Sequence, residues 1–303
     1  FFGVCAVFGT GNATQVNTIT AAINTALTNY GILSADTLAT SNLIIGIVIC
    51  IVVGLILIGG LKRIGRVSEK LVPVMAVLYI VLGIGLIVLR IDRVPAVFAS
   101  IFQGAFNPAA FTGGVVGSFF ISLQKGVSRG IFSNEAGLGT GSIAHACADT
   151  NDPAKQGLYG IFEVFMDTIV ICTLTALTVL CGVESGVGIT WGQSAGTELI
   201  AAAFATVFGN KIGALIVAVG ISLFALTTIL SWSLYGSRCF EFLTGGRGVG
   251  VFQTVFVFVI VIGATLKLDL VWNIADTLNG FMAIPNLVAL LGLSGVVIKL
   301  TKE

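Results

Sequence analysis

Five glycines fall between positions 126 and 141, and Ser133, Asn134 and Glu135 stand among them in the run Gly126-Val-Ser-Arg-Gly-Ile-Phe-Ser-Asn-Glu-Ala-Gly-Leu-Gly-Thr-Gly-Ser-Ile-Ala-His145. Each glycine costs a helix about 1 kcal/mol relative to alanine, so the run predicts a broken helix. The run follows an uncharged apolar stretch. In lipid, unwound backbone is tolerated where protein or a water-filled cavity satisfies it, and discontinuous helices use such backbone to bind substrates and ions. The competing reading is an ordinary glycine-rich cytoplasmic loop.

Two further clusters carry polar chemistry. Thr227, Thr228, Ser231 and Trp232 lie in mid-span, with 227/231 and 228/232 four residues apart and hence on one helix side. Hydroxyl oxygens are hard ligands suited to sodium, and an indole offers an apolar wall. Such hydroxyls also bond back to their own helix carbonyls, which is the alternative here. In Phe8-Gly-Thr-Gly-Asn-Ala-Thr-Gln-Val-Asn17, Asn12 and Gln15 are three apart and Gly11 and Gln15 four apart. Their amides both donate and accept, which suits a zwitterionic amino acid or, alternatively, interhelical bonding.

Ionisable groups inside apolar stretches usually face a cavity or a partner. Glu163 and Asp167 are one turn apart, and Asp276 lies near Asn273 and Asn279. Paired carboxylates can serve acid–base catalysis. An intramembrane enzyme using Glu135, His145, Glu163 and Asp167 is therefore the rival of another class, although an ion pair or cap near the cytoplasmic end suits Glu163 and Asp167 better. His145 is the only histidine, and with no His or Cys at ligand spacing it is not expected to bind metal. Pro285 frees the carbonyl of Phe281 and predicts a packing kink.

The elements that must position these groups are membrane helices. Of 303 residues, 56% are hydrophobic and 10% charged, and the mean hydropathy is +1.06, against about 25% charged in a soluble domain. A net charge of +1 excludes a basic field for nucleic acid. Uncharged stretches of about 20 residues predict spans at 43–61, 71–89, 212–237 and 248–266. More polar ones are expected at 1–27, 157–182 and 271–298. The run from Val94 to Gln124, with Pro95 and Pro108, predicts a surface helix leading into a further membrane segment, making eight in all. Alternation then puts Lys62, Arg63, Arg66, Lys70, Lys125, Arg129, Lys155, Arg238, Arg247, Lys299 and Lys302 on one side, against Arg90, Arg93, Lys211 and Lys267 on the other. The positive-inside rule makes the first side cytoplasmic, and removing Lys125 and Arg129, if they sit at membrane depth, leaves nine against four. The polar stretch 184–198 is too short for a domain. Six cysteines without CxxC spacing read as small buried hydrophobes.

The runs Arg129-Gly-Ile-Phe-Ser-Asn-Glu-Ala-Gly-Leu-Gly139, Gly11-Asn-Ala-Thr-Gln15, Ile58-Gly-Gly-Leu-Lys-Arg63, Thr227-Thr-Ile-Leu-Ser-Trp232 and Val271-Trp-Asn-Ile-Ala-Asp-Thr-Leu-Asn-Gly-Phe-Met-Ala-Ile-Pro-Asn286 together resemble the alanine-or-glycine:cation symporter family over nearly the whole chain, in order. The resemblance implies an all-α, polytopic bundle with the five-plus-five inverted-repeat fold of leucine-type sodium symporters. Core helices three to ten would be present, and the chain would be truncated at the N-terminus. The single transporter domain 1–303 would then divide into the remainder of the first repeat with its connecting surface helix at 1–111, and the second repeat at 112–298. The 25–41 stretch is longer than usual for an outer loop.

By the same resemblance the activity would be uptake of a small neutral amino acid driven by sodium (Na+), through alternating access, in the plasma membrane. Asn12, Gln15, Phe132, Ser133, Asn134 and Trp232 would contact substrate, with Phe132 and Trp232 facing each other as walls of a small pocket. Thr227, Thr228 and Ser231 would ligate sodium. Beyond the amino acid and the lipid bilayer, the sequence calls for no obligatory protein partner. A passive channel would need a ring of charges or carbonyls that the sequence lacks.

Overall fold

The computed structural model describes residues 1–106, 115–184 and 196–302, and among these every regular element is helical. Helix α1 (Phe2–Phe8) passes through a π-helical turn, Gly9–Ala13, into α2 (Thr14–Asn29). Next come α3 (Leu38–Ile58), α4 (Gly60–Leu89), α5 (Val94–Phe106) and α6 (Val115–Asn134). A short α7 (Thr140–His145) follows. Helix α8 (Pro153–Phe165) runs through a second π-helical stretch, Met166–Cys172, into α9 (Thr173–Glu184). The chain ends with α10 (Thr197–Phe208), α11 (Asn210–Thr244), α12 (Val249–Thr265) and α13 (Leu268–Leu300).

Lipid as solvent explains why these helices are apolar on their outer faces. On α3 the exposed residues Ile44, Ile47, Val48, Ile51 and Leu55 recur at helical spacing, while Gly46, Ile49, Val53 and Leu57 point inward. A Cβ at Gly46 would come within 2.6 Å of the Ala264 side chain, so the small residue sets how closely α3 and α12 approach. Around Trp232, Ile229, Leu230, Phe256 and Ile260 the helices close a central core. A second cluster, with Leu86, Val97, Phe204 and Val217, holds α4, α5, α10 and α11.

Among the described residues five helices are long and apolar enough to cross a membrane: 35–58, 62–89, 153–183, 210–244 and 268–300. They cover five of the expected spans. Expected segment 1–27 is helical but rich in Thr and Asn. Helix α12 has 17 residues, about 25 Å of rise against a hydrocarbon core of about 30 Å. Its direction alternates with that of α11. Asn12 bonds to Phe256 and Asn17 to Gly263, so α12 runs parallel to α2, while Gly11 against Trp232 and Asn29 bonded to Asn210 make α11 antiparallel to α2. Helix α5 stands where the surface helix was expected and α6 where the following membrane segment was expected, and α6 is not among the five. Pro108, the division between 111 and 112, and most of the polar stretch 184–198 lie outside the described residues. The cysteines correct their expectation in part: Cys181 is buried, Cys147 is exposed, and Cys5, Cys50, Cys172 and Cys239 are half-buried.

Candidate functional site

The glycine run does break the helix. α6 ends at Asn134, whose Oδ1 accepts the Ala136 backbone N–H at 2.9 Å, and α7 starts at Thr140. Between them Glu135 has φ +54°, Gly137 +84° and Gly139 +88°. Left-handed backbone at a non-glycine residue costs of order 1–3 kcal/mol and persists only where the surroundings hold it. Here two side chains do so. Trp232 Nε1 donates to Glu135 Oε1 at 2.7 Å, and Asn286 Nδ2 donates to the Gly137 carbonyl at 2.9 Å. At Gly139 a Cβ would stand 2.8 Å from Asn286 Oδ1, so that position needs glycine for space as well as for φ.

Opposite the break lies the π-helical turn Gly9–Ala13, buried at all five positions. Its extra residue per turn disturbs the backbone ladder, and local side chains take up the carbonyls. Thr14 Oγ1 donates to the carbonyls of Thr10 (2.6 Å) and Gly9 (3.1 Å), and Gln15 Nε2 donates to Thr10 at 3.1 Å. Thr10 Oγ1 donates to Asn279 Oδ1 at 2.8 Å, and Asn12 Nδ2 donates to the Phe256 carbonyl at 2.7 Å. Asn12 is fully buried, and among the described residues its Oδ1 has no donor. Trp232 sits against this turn so tightly that a Cβ on Gly11 would fall 2.1 Å from the Trp232 Cβ. The indole thus touches the turn and, through its N–H, the break.

Trp232 lies against Gly11, next to Asn12 in the turn and one helical turn before Gln15, and its N–H ties it to Glu135. Ser133 and Asn134 face the second π-helical stretch: Ser133 Oγ donates to both Asp167 oxygens (2.9 and 2.8 Å), and Asn134 Nδ2 donates to Thr168 Oγ1 at 3.1 Å. Phe132 and Trp232, expected to face one another, each pack on another ring. Phe132 packs on Trp272 with centroids 4.8 Å apart, and Trp232 packs on Tyr235 at 5.8 Å. Arg129 joins the former pair, its guanidinium 4.3 Å from the Trp272 centroid and ion-paired with Asp276.

Contacts of Arg129 with Asp276 and of Gly137 with Asn286 make α6 parallel to α13, and Asp276 lies two turns in from Leu268, away from the Lys299 end. Arg129 is therefore at membrane depth, and Lys125, one turn earlier, leaves the cytoplasmic side with it. The charge bias becomes nine against four, the lower of the two counts.

The three hydroxyls bond back to their own helix. Thr227 donates to Phe224 O at 2.8 Å, Thr228 to Phe224 O at 3.0 Å and Ser231 to Thr227 O at 3.1 Å. Their lone pairs remain available to a cation. Residues of the rival enzyme reading are divided among separate partners. His145 pairs with Glu163 (3.2 Å) and Gln156 (2.8 Å), Asp167 with Ser133, and Glu135 with Trp232. Sequence reasoning did not give Asn279 and Asn286 their roles. They lie two turns apart on α13, and two amides at i, i+7 in an apolar helix were the available signal.

A polytopic bundle whose helices are broken or bulged around a buried indole is a membrane protein of the discontinuous-helix kind found in transporters. The chain belongs to the sodium:alanine symporter family, whose profile matches residues 1–303. Over 303 residues it is 43% identical to the sodium/alanine symporter AgcS of Methanococcus maripaludis, covering 100% of this chain and 63% of that protein. It is 36% identical to the probable sodium/glutamine symporter GlnT of Bacillus subtilis (96% of this chain, 57% of the relative). With the sodium/proton-dependent alanine carrier protein of Bacillus sp. PS3 the identity is 33% (82% and 58%). The chain thus spans less than two thirds of these relatives' length. Family and relatives are transporters, not enzymes, and with five apolar helices long enough to span, the chain is a multi-pass protein of the cell membrane.

Proposed function

We propose that the full-length protein performs secondary active symport of a small neutral amino acid, alanine or glycine, driven by the sodium gradient through alternating access. The observation that carries this reading is the meeting of broken backbone at 135–139 with the buried turn 9–13 around Trp232. Backbone freed from a helix at membrane depth presents donors and acceptors suited to a zwitterion and a cation. Asn12 Oδ1, buried and without a donor, suits a substrate ammonium group, and Gln15 lies one turn away. Trp232 and Phe132 supply apolar walls, and Ser133 and Asn134 fix the end of α6 at the break. Thr227, Thr228 and Ser231 have given their protons to carbonyls and offer oxygen lone pairs to sodium.

The fold in this reading is the five-plus-five inverted repeat, with 1–111 the remainder of the first repeat and 112–298 the second. Relatives described for alanine and for glutamine show that membership alone leaves side-chain size open. The small substrate rests on the family and on the alanine relatives. Purified full-length protein in liposomes is expected to accumulate labelled alanine under an inward sodium gradient and to lose that accumulation when choline replaces sodium. Equal accumulation in both would overturn the reading.

A further inference from the structure

A cavity of about 360 Å³ opens where α2 ends and α3 and α10 begin, next to Leu266 at the end of α12. This end of the bundle carries Arg90, Lys211 and Lys267 and is external by the Lys and Arg count. Asn17, Thr20, Asn24, Thr25 and Glu198 are the lining residues that bear on its chemistry. Asn17, Thr20 and Asn24 are at least nine-tenths buried, which is costly for polar groups without purpose or partners.

What these side chains offer follows from where their protons go. Both Asn17 amide hydrogens point at carbonyls, those of Leu266 (2.7 Å) and Gly263 (3.3 Å). Thr20 donates to Asn17 O at 2.7 Å and Thr25 to Ala21 O at 2.9 Å. Asn24 Nδ2 donates to Asn42 Oδ1, while Asn24 Oδ1 accepts from Ser41, both at 2.6 Å. With the protons of Asn17, Thr20 and Thr25 spent on the protein, oxygen lone pairs are what these three residues have left to offer. Glu198 adds an exposed carboxylate at the rim, and among the described residues it has no cationic partner. The oxygens of Asn17, Thr20 and Thr25 with the one negative charge attract a small cation, while the amide hydrogens left on Asn24 and Asn42 add polar groups that water can bridge.

We propose that this cavity is a cation site, separate from the centre at Trp232, that takes sodium or a primary ammonium group. It goes beyond the symport reading, because Asn17 lies five residues above Asn12, about 7.5 Å along the helix, and the groups involved are other than those assigned at the centre. Hard oxygen ligands from amide and hydroxyl groups match sodium, and the volume leaves room for the waters that would complete its shell.

The test is equilibrium binding of sodium-22 and of radiolabelled alanine to the purified full-length protein, to Glu198→Gln and to Thr20→Val/Thr25→Val. These substitutions keep side-chain volume while removing the charge or two oxygens. If sodium is the ligand, bound sodium falls by one per protein or its half-saturating concentration rises at least tenfold. If the ammonium of the amino acid is the ligand, sodium binding is unchanged and bound alanine falls from two per protein to one. Should the threonine variant fail to fold, Glu198→Gln decides alone, since its side chain is exposed. Unchanged number and affinity for both ligands overturns the proposal. Binding is read without transport, so a protein that moves no substrate still reports on the cavity.

Discussion

Gly11→Ala tests the packing at the centre. The added Cβ would lie 2.1 Å from Trp232 Cβ, 2.2 Å from Cγ and 2.6 Å from Cδ2, whereas real contacts of this kind stay above 3.0 Å. Trp232 Cβ is bonded to the main chain, so no rotamer relieves the clash, and the turn 9–13 must move away from α11. That movement pulls on the bonds from Asn12 to Phe256 and from Thr10 to Asn279. Overpacking costs about 1–3 kcal/mol, and two buried hydrogen bonds add about 1 kcal/mol each, for a total of about 3–5 kcal/mol. At about 2–4 °C per kcal/mol for a mid-sized domain, the melting temperature should fall by at least about 6 °C. Gly292→Ala is the control, because a Cβ there meets nothing within 4 Å. Thermal unfolding of the full-length protein in detergent, with alanine binding on the same samples, measures both effects. An unchanged melting temperature and affinity in Gly11→Ala would refute the contact.

Three further tests probe the surrounding groups. Thr228→Val removes one hydroxyl that bonds only back to Phe224 among the described contacts, so sodium half-saturation should rise while stability stays near that of the parent; an unchanged half-saturation counts against a sodium role. Trp232→Phe deletes the donor to Glu135, a loss of about 1–3 kcal/mol or roughly tenfold in alanine affinity, and Glu135→Gln, which keeps an acceptor, should cost less; the reverse order in binding assays contradicts the role given to that bond. Arg129→Gln and Asp276→Asn should couple by about 1 kcal/mol in a double-mutant cycle on melting, discounted for the part-exposed pair, and additive effects would remove the pair from the account.

The helix break was legible because glycine cost accumulates within one segment, and Gly137 and Gly139 do take positive φ. The left-handed Glu135 was not, since its conformation depends on Trp232, 97 positions away. Likewise the π-helical turn at 9–13 comes from packing against α11, α12 and α13, and Gly11 alone does not announce it. Hydroxyl spacing placed Thr227 and Ser231 on one side of α11, but spacing carries no information about where a proton points. Phe132 was expected opposite Trp232 from the family resemblance; its partner Trp272 lies on the last helix, beside α6 in a parallel run. Most spans were readable from apolar length. Segment 1–27 is helical but polar, and α12, with 17 residues, is shorter than apolar length alone would mark as a span, while its partners fix its direction.

The central claim is coupled movement of sodium and amino acid, and the reversal potential of the reconstituted full-length protein tests it most directly. A tenfold change in the alanine gradient should shift the potential by about 59 mV for one sodium per amino acid, or half that for two, at fixed sodium. A reversal potential that ignores the alanine gradient would contradict symport.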